Sequence, residues 1–409
     1  ENQTLYYGLN GLGQVVKKKE VVNRYKVFDA FSTGLPNGLT NTTLYKTDTC
    51  IFINRIGVPN CTADPVMQQD EYDLYDVGRY YLFSYFAHQD SSYTYDYDET
   101  GNNPALTITV NKYDSAYVVK KLDKVITQLD TLETSYKYVR DFASSGNVYE
   151  KLVNANMVIA PVERSVKRNS QSLYSMKTNY TDWFSDNKVL VPSTEDYTPA
   201  GQSAITRIRY QQYTTAGVLT EVSKENDVRM SYIWDKWNKS ILAEVTNASA
   251  ADVAVTSFED LGNGNWSISG GSYDLRYAYT GNQSYKMSAG VTISKSGLTS
   301  GKTYIVSYWS RSGSLTVNSG SGTAGITRNG WTYYQHSFTG ATSVSITGTT
   351  SIDELRLYPS GALMSSFTFQ PGVGITTRCD ANGVVNYYEY DTYSRLMLVR
   401  DENQRVLKK

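Results

Sequence analysis

The sequence predicts an all-β protein in which an extended sheet of tyrosine-rich strands is interrupted by a separate β-sandwich. Three observations predict it. Tyrosine reaches 36 of 409 residues beside abundant Thr, Ser, Val and Gly, a composition suited to pleated, half-buried surfaces rather than helices. Polar turns followed by tyrosine-bearing strands recur along the chain. Between about 250 and 359 the composition shifts to Ser, Gly, Thr and Trp, with short strands at regular spacing.

The repeating element is clearest near the end, in Arg378-Cys-Asp-Ala-Asn-Gly-Val-Val-Asn-Tyr-Tyr-Glu-Tyr-Asp391. Asp-x-x-Gly closes a tight turn because Gly383 tolerates positive φ, while Asp380 and Asn382 bond locally to the backbone. Tyr388 and Tyr390 then share one strand face, which a module this small can bury only by stacking laterally on its neighbours. Three earlier stretches have the same order. They are Tyr6-Tyr7 through Gly13 to Val16, Tyr95-Asp96-Tyr97-Asp98 through Gly101 to Val110, and Tyr210 through Gly217 to Trp234.

These stretches resemble the YD-repeat (Rhs) family, in which a Tyr-Asp step is followed by Gly-Arg-Leu and a trailing Asp-x-x-Gly. Tyr390-Asp391 and Arg395-Leu396 match directly. Ser394 stands where the family has glycine, and Glu402-Asn403-Gln404 replaces a glycine-bearing turn. The resemblance implies a cocoon-like spiral sheet, part of a large secreted or surface bacterial protein of polymorphic-toxin type. Its partners would be the remaining repeats, a C-terminal cargo domain and a secretion machinery. No plug or self-cleaving region of that family is recognisable here, so the segment would contain cargo rather than supply a toxin. Glu1 is no initiator residue, which makes the chain look like an internal or processed fragment.

Boundaries follow from composition: repeat strands over 1–249, the sandwich over 250–359, and repeat strands again over 360–409. Within the first segment, Val118, Leu122, Val125, Leu129 and Leu132 fall at helical spacing, but β-branched clusters and the alternation after Thr134 favour two long strands. Lys17-Lys18-Lys19 reads as a solvated strand edge. Cys50 and Cys61 bracket a short strand and a Gly-Val-Pro-Asn turn. A disulfide there, contributing ~2–3 kcal/mol, and two reduced thiols both fit. Cys379 has no evident partner.

The motifs Ser257-Phe258-Glu259, Tyr279-Thr-Gly281, Leu298-Thr-Ser-Gly301 and Ile352-Asp353-Glu354-Leu355 resemble those of jelly-roll carbohydrate-binding modules. That resemblance implies a structural Ca²⁺ held by Glu259 and Asp353, to which hard oxygen ligands are suited. Sugar binding needs exposed aromatic platforms, and Trp266, Tyr277, Trp331 and Tyr333 are the principal candidates, with core roles open to the same rings. Trp309 reads as core.

Other functions lack parts. Lys and Arg total 39 against 40 Asp and Glu, leaving no field to attract nucleic acid. No apolar run approaches the ~20 residues of a membrane span. His88 and His336 are the only histidines, no Cys-x-x-Cys, P-loop or Gly-x-Ser-x-Gly occurs, and adjacent acids on a strand face opposite sides. The expectation is a non-catalytic shell segment. The alternative is a surface adhesin whose jelly roll binds glycans, and a glycan-active enzyme ranks third.

Overall fold

The computed structural model describes residues 1–27, 45–56, 74–85, 87–114, 119–259 and 261–409, with the backbone alone at 27, 45–56 and 74–85. Cys61 and the Cys50 side chain lie outside the described residues, and with them the proposed disulfide. The fold is all-β: antiparallel repeat strands plus an inserted β-sandwich. It divides into two compact units, one of residues 1–178 and 197–204 and one of residues 179–196 and 205–409.

In the first unit β1 (Asn2–Leu9), β2 (Val15–Val27), β3 (Tyr45–Ile56), β4 (Leu74–Tyr85), β5 (Ala87–Asp96), β6 (Ala105–Tyr113), β7 (Lys120–Ile126) and β8 (Thr131–Tyr138) precede β9 (Pro161–Arg168). Strands β1, β2, β5, β6, β7, β8 and β9 pair antiparallel in that sequence, and β3 pairs with β4. Of the helically spaced apolar residues, Leu122, Val125 and Leu132 are strand residues, Leu122 opposite Ser135 and Val125 opposite Leu132, while Leu129 sits in the turn between β7 and β8 and Val118 lies outside the described residues. The lysine run corrects an expectation. Strand β2 is paired on both sides from Lys18 onward, the Lys18 carbonyl accepting from the Tyr97 amide and Lys19 standing between Tyr6 and Asp96, so the lysine run enters the sheet rather than edging it. Carboxylates on and around the strand make this possible, with Lys17 at 2.9 Å from Glu20, Lys18 at 2.9 Å from Glu99 and Lys19 at 3.7 Å from Asp96.

A short helix, α1 (Val148–Asn154), was not expected. Asn147 caps it by accepting from the Glu150 amide at 2.8 Å, while Glu150 Oε2 accepts from the Gly146 amide at 2.7 Å.

Strands β10 (Gln171–Asp182) and β11 (Leu190–Pro199) lead to β12 (Ile205–Tyr213), β13 (Leu219–Lys224), β14 (Arg229–Trp234) and β15 (Ile241–Thr246) of the second unit. The chain then leaves the sheet and builds the insert. One insert sheet contains β16 (Ala254–Thr256), β18 (Ser272–Asp274), β19 (Ser284–Lys286), β21 (Thr303–Ser310), β24 (Thr323–Arg328), β25 (Trp331–Thr339) and β27 (Ser351–Pro359). The other contains β17 (Ser267–Ser269), β20 (Thr292–Ser296), β22 (Thr316–Val317), β23 (Gly320–Ser321) and β26 (Ser343–Thr347). Their facing sides meet in a core that includes Phe258, Trp266, Ile293, Tyr304, Tyr308, Ile346 and Leu357. At ~1.5–3 kcal/mol for each fully buried large apolar side chain, this core is the insert's main source of stability.

After the insert the repeat pattern resumes as β28 (Leu363–Gln370), β29 (Gly374–Cys379), β30 (Val385–Tyr390), β31 (Leu396–Arg400) and β32 (Val406–Lys408). Strand β28 pairs directly with β15, Ala243 opposite Ser366 and Thr246 opposite Leu363. The sandwich is thus carried on a hairpin connection, and the repeat ladder closes beneath it.

The turns explain how the repeat survives its own divergence. Asp380 Oδ1 accepts from the amides of Asn382 (2.8 Å) and Val384 (2.9 Å), and Gly383 adopts φ +79° while donating to the Asp380 carbonyl. Asn10 with Gly13, Asp98 with Gly101, Asp235 with Asn238, Asp391 with Ser394 and Asp401 with Gln404 form the same pattern. Ser394 (φ +60°) and Gln404 (φ +64°) take the left-handed conformation without glycine.

Candidate functional site

Of the side chains expected to form a sugar platform, Trp331 and Tyr333 lie between the insert and the repeat strands of its own unit. Alternation along β25 sends Tyr334 and His336 toward the sandwich interior and Trp331, Tyr333, Gln335 and Ser337 to the outer face. There Trp331, 2% exposed, joins Tyr279, Trp309, Cys379 and Val385 in one apolar cluster, with Tyr333 and Tyr387 packed against it. Tyr279 stacks on Trp309 with ring centroids 3.8 Å apart, Trp309 meets Tyr333 edge-on at 5.5 Å, and Tyr387 Oη donates to the Tyr279 carbonyl at 2.8 Å. Trp309 is core as expected, but of this junction rather than of the sandwich.

Two expectations are corrected here. Trp331 offers no free ring, because strands β29 and β30 cover it. Trp266, 4% exposed, is part of the sandwich core. Tyr277 is 45% exposed, although the Arg311 guanidinium sits 3.8 Å over its ring. Tyr333 is half-buried and borders an open groove of about 280 Å³, lined also by Thr323, Ala324, Gly325, Gln335 and Ser337. Gly325 keeps this groove open, since a Cβ there would stand 3.2 Å from the Tyr333 ring.

Glu259 and Asp353, the expected calcium ligands, are brought to one short segment, but as acceptors of its amides. Asp353 Oδ2 accepts from Tyr279 N (2.7 Å) and Thr280 N (2.9 Å), and Glu259 Oε1 from Asn282 N (2.7 Å) and Gln283 N (3.1 Å). Burial pushes both carboxyls above their ordinary range, with Asp353 fully enclosed. The N–H donors aimed at these carboxylates present the same positive polarity as a cation, so they occupy the lone pairs that a cation would need and repel one placed beside them. Among the described residues no three His, Cys, Asp or Glu side chains gather as ligands. As placed, the pair clamps residues 279–283 and does not fit a calcium site.

Beside this clamp a charged network ties the insert to the repeat strands. Arg356, 4% exposed, donates to Glu354 Oε1 (2.9 Å), Ser366 Oγ (2.7 Å) and the carbonyls of Asp380 (2.9 Å) and Cys379 (3.2 Å). Ser257 Oγ donates to Glu354 Oε2 at 2.6 Å. Burial alone would raise the Glu354 pKa, yet Arg356 and the two serine hydroxyls together hold it below the ordinary value. Burial pushes the Cys379 thiol up to about 12, leaving it protonated and unreactive. Sequence reasoning missed this network. A charged residue in the otherwise apolar Leu355-Arg356-Leu357 run was its only signal.

His336 is also spoken for, with Nε2 at 2.9 Å from Tyr308 Oη inside the insert. No helix among the described residues is long and apolar enough to cross a membrane.

No protein-family model matches this sequence, and no curated protein matches it. Among solved structures, the chain is similar to the CBM22-1 xylan-binding domain of Xyn10C from Paenibacillus barcinonensis, with 17% identity over 26% of this chain and 92% of that one and a TM-score of 0.19. It is also similar to TcdB2-TccC3 without its hypervariable C-terminal region, with 8% identity over 95% of this chain and 16% of that one and a TM-score of 0.35. For TcdB2-TccC3 itself the identity is 9%, the coverage 96% of this chain and 26% of that one, and the TM-score 0.30. The chain thus spans 16–26% of the length of those two larger chains.

Proposed function

We propose that this chain is a non-catalytic scaffold segment, part of the wall of a large secreted or surface bacterial YD-repeat protein that encloses a C-terminal cargo domain. The observation that carries the reading is the pairing of β15 with β28 beneath the insert. A ladder that closes under an excursion of more than a hundred residues is organised for continuity of the sheet. The repeated turns extend the argument, because they preserve one backbone geometry while the residue at the left-handed position varies. Electron microscopy of the intact parent protein tests this. A closed hollow shell with internal density is the expected image, and an open or solid rod with a side lobe overturns it.

A second reading, an adhesin whose jelly roll binds glycans, is favoured by the groove beside Tyr333. Its half-buried ring and the Gln335, Ser337 and Thr323 side chains combine an apolar face with hydroxyl-bonding groups. On this reading Tyr333→Ala abolishes sugar affinity while Trp331→Ala acts only through stability. Equal affinity of native and Tyr333→Ala protein removes this groove from consideration.

A further inference from the structure

We propose a saccharide site in the second unit, separate from the insert's outer face, in a groove of about 460 Å³ with Trp237 as its platform. Two hairpin turns build its rim. The first, 235–240, joins β14 to β15, and the second, 371–373, joins β28 to β29. Because Ala243 stands opposite Ser366, continuing the same register sets Lys239 level with Gln370 and brings the two turns side by side.

Both turns are held before any ligand arrives. Asp235 Oδ1 accepts from the Trp237 amide (3.1 Å) and the Lys239 amide (2.8 Å), with Asn238 at φ +57°. In the second turn Val373 donates to the Gln370 carbonyl at 3.0 Å, with Pro371 and then Gly372 (φ +75°) at the positions a type II turn requires. Lys236 N donates to the Leu261 carbonyl at 2.7 Å, fixing the third wall.

Trp237 is 50% exposed, which is unusual for an indole on so ordered a turn. The Lys236 ammonium stands 4.4 Å over its ring, and Trp237 but not Lys236 lines the groove. Phe369 and Leu261 supply apolar floor, and Gln370, Ser240 and Lys239 supply hydrogen-bonding groups. A rigid aromatic face rimmed by amide, hydroxyl and ammonium groups suits a neutral pyranose, which offers apolar C–H bonds on one face and hydroxyls at its edge. The volume falls within the ~300–1,000 Å³ of small-molecule sites.

Isothermal titration of the full 409-residue chain with neutral hexasaccharides of xylose, glucose and mannose tests the proposal. The native chain is expected to bind at least one of them, with Trp237→Ala weakening it about tenfold or more and Trp237→Tyr, which keeps a ring, staying within about threefold. Tyr333→Ala is expected to leave this affinity unchanged, which separates the site from the groove on the insert. Thermal melting of each variant separates lost binding from lost folding. No binding by the native chain, equal affinity in the Ala and Tyr variants, or loss caused by Tyr333→Ala instead overturns the proposal.

Discussion

The repeat strands and the insert are both antiparallel β-structure, yet they specify themselves by different means. In the insert, specification is carried by enclosed side chains: Ile293, Tyr304, Val306, Tyr308 and Ile346 are fully buried. In the repeat strands it is carried by backbone at the turns, while long stretches such as β7 and β30 are half-buried along most of their length. The difference teaches where each tolerates change. A packed core registers every lost methylene, whereas a turn held by one Asx residue, its side chain accepting from two amides and its carbonyl from the amide between them, accepts any residue that can adopt positive φ.

The largest effect should come where the two regions meet. Replacing Arg356 with Leu leaves the Glu354 carboxylate buried without its cation, which should cost about 3–5 kcal/mol. Urea unfolding should show it, and Glu354→Gln in the same chain should restore part of the loss. A cost below about 1 kcal/mol would mean that solvent reaches the pair. Within the insert, Ile293→Ala should cost about 2–5 kcal/mol because the two packed sheets cannot collapse onto the space left behind. The same transition should appear in near-ultraviolet circular dichroism, which reports the insert's clustered Trp and Tyr rings.

The turns offer a finer contrast. Gly383 has open space around a would-be Cβ, so Gly383→Ala tests backbone strain alone and should cost about 1–2 kcal/mol. Ser394→Gly at the equivalent position should instead stabilise, by less than about 1 kcal/mol, since glycine relieves the strain but adds freedom to the unfolded chain. Paired thermal melts decide it, and shifts of the same sign would show that the two turns are not equivalent.

Much of the fold was legible because it rests on local signals. Gly383 announced its turn, the β-branched clusters around Val125 outweighed an accidental helical spacing, and the compositional shift marked the insert. The Asn147-x-x-Glu150 pair ahead of α1 is a capping signal that was present and went unread. The candidate sites were less legible because burial is a property of neighbours. Alternation correctly put Trp331 and Tyr333 on one face, but nothing in their own strand told that β29 and β30 would cover the Trp331 end of it. Glu259 and Asp353 were singled out as calcium ligands, yet their partners are backbone amides of one segment, which leave no mark in a sequence. Trp237 was passed over because it sits in a turn, outside any strand pattern.

The smallest effect separates two versions of one turn within the first unit. Asn10 and Asp98 accept from the same two amides of their turns, but only Asp98 titrates. Hydrogen bonds from the Thr100 side chain, the Asn102 amide and the Asn103 side chain lower its pKa to about 2 from an ordinary 3.8. A carboxyl depressed on folding contributes stability that is present above its unfolded pKa and is lost as pH falls through the folded value. The loss should therefore begin near 3.8 and finish below about 2. Because Asp98 is exposed, the readout is local: the Asp98 carboxyl shift followed by NMR, with the Asn102 amide resonance moving in step. In Asp98→Asn the turn should persist without the acid transition, as at Asn10. A carboxyl that titrates at its ordinary value would mean that those hydrogen bonds do not persist in solution.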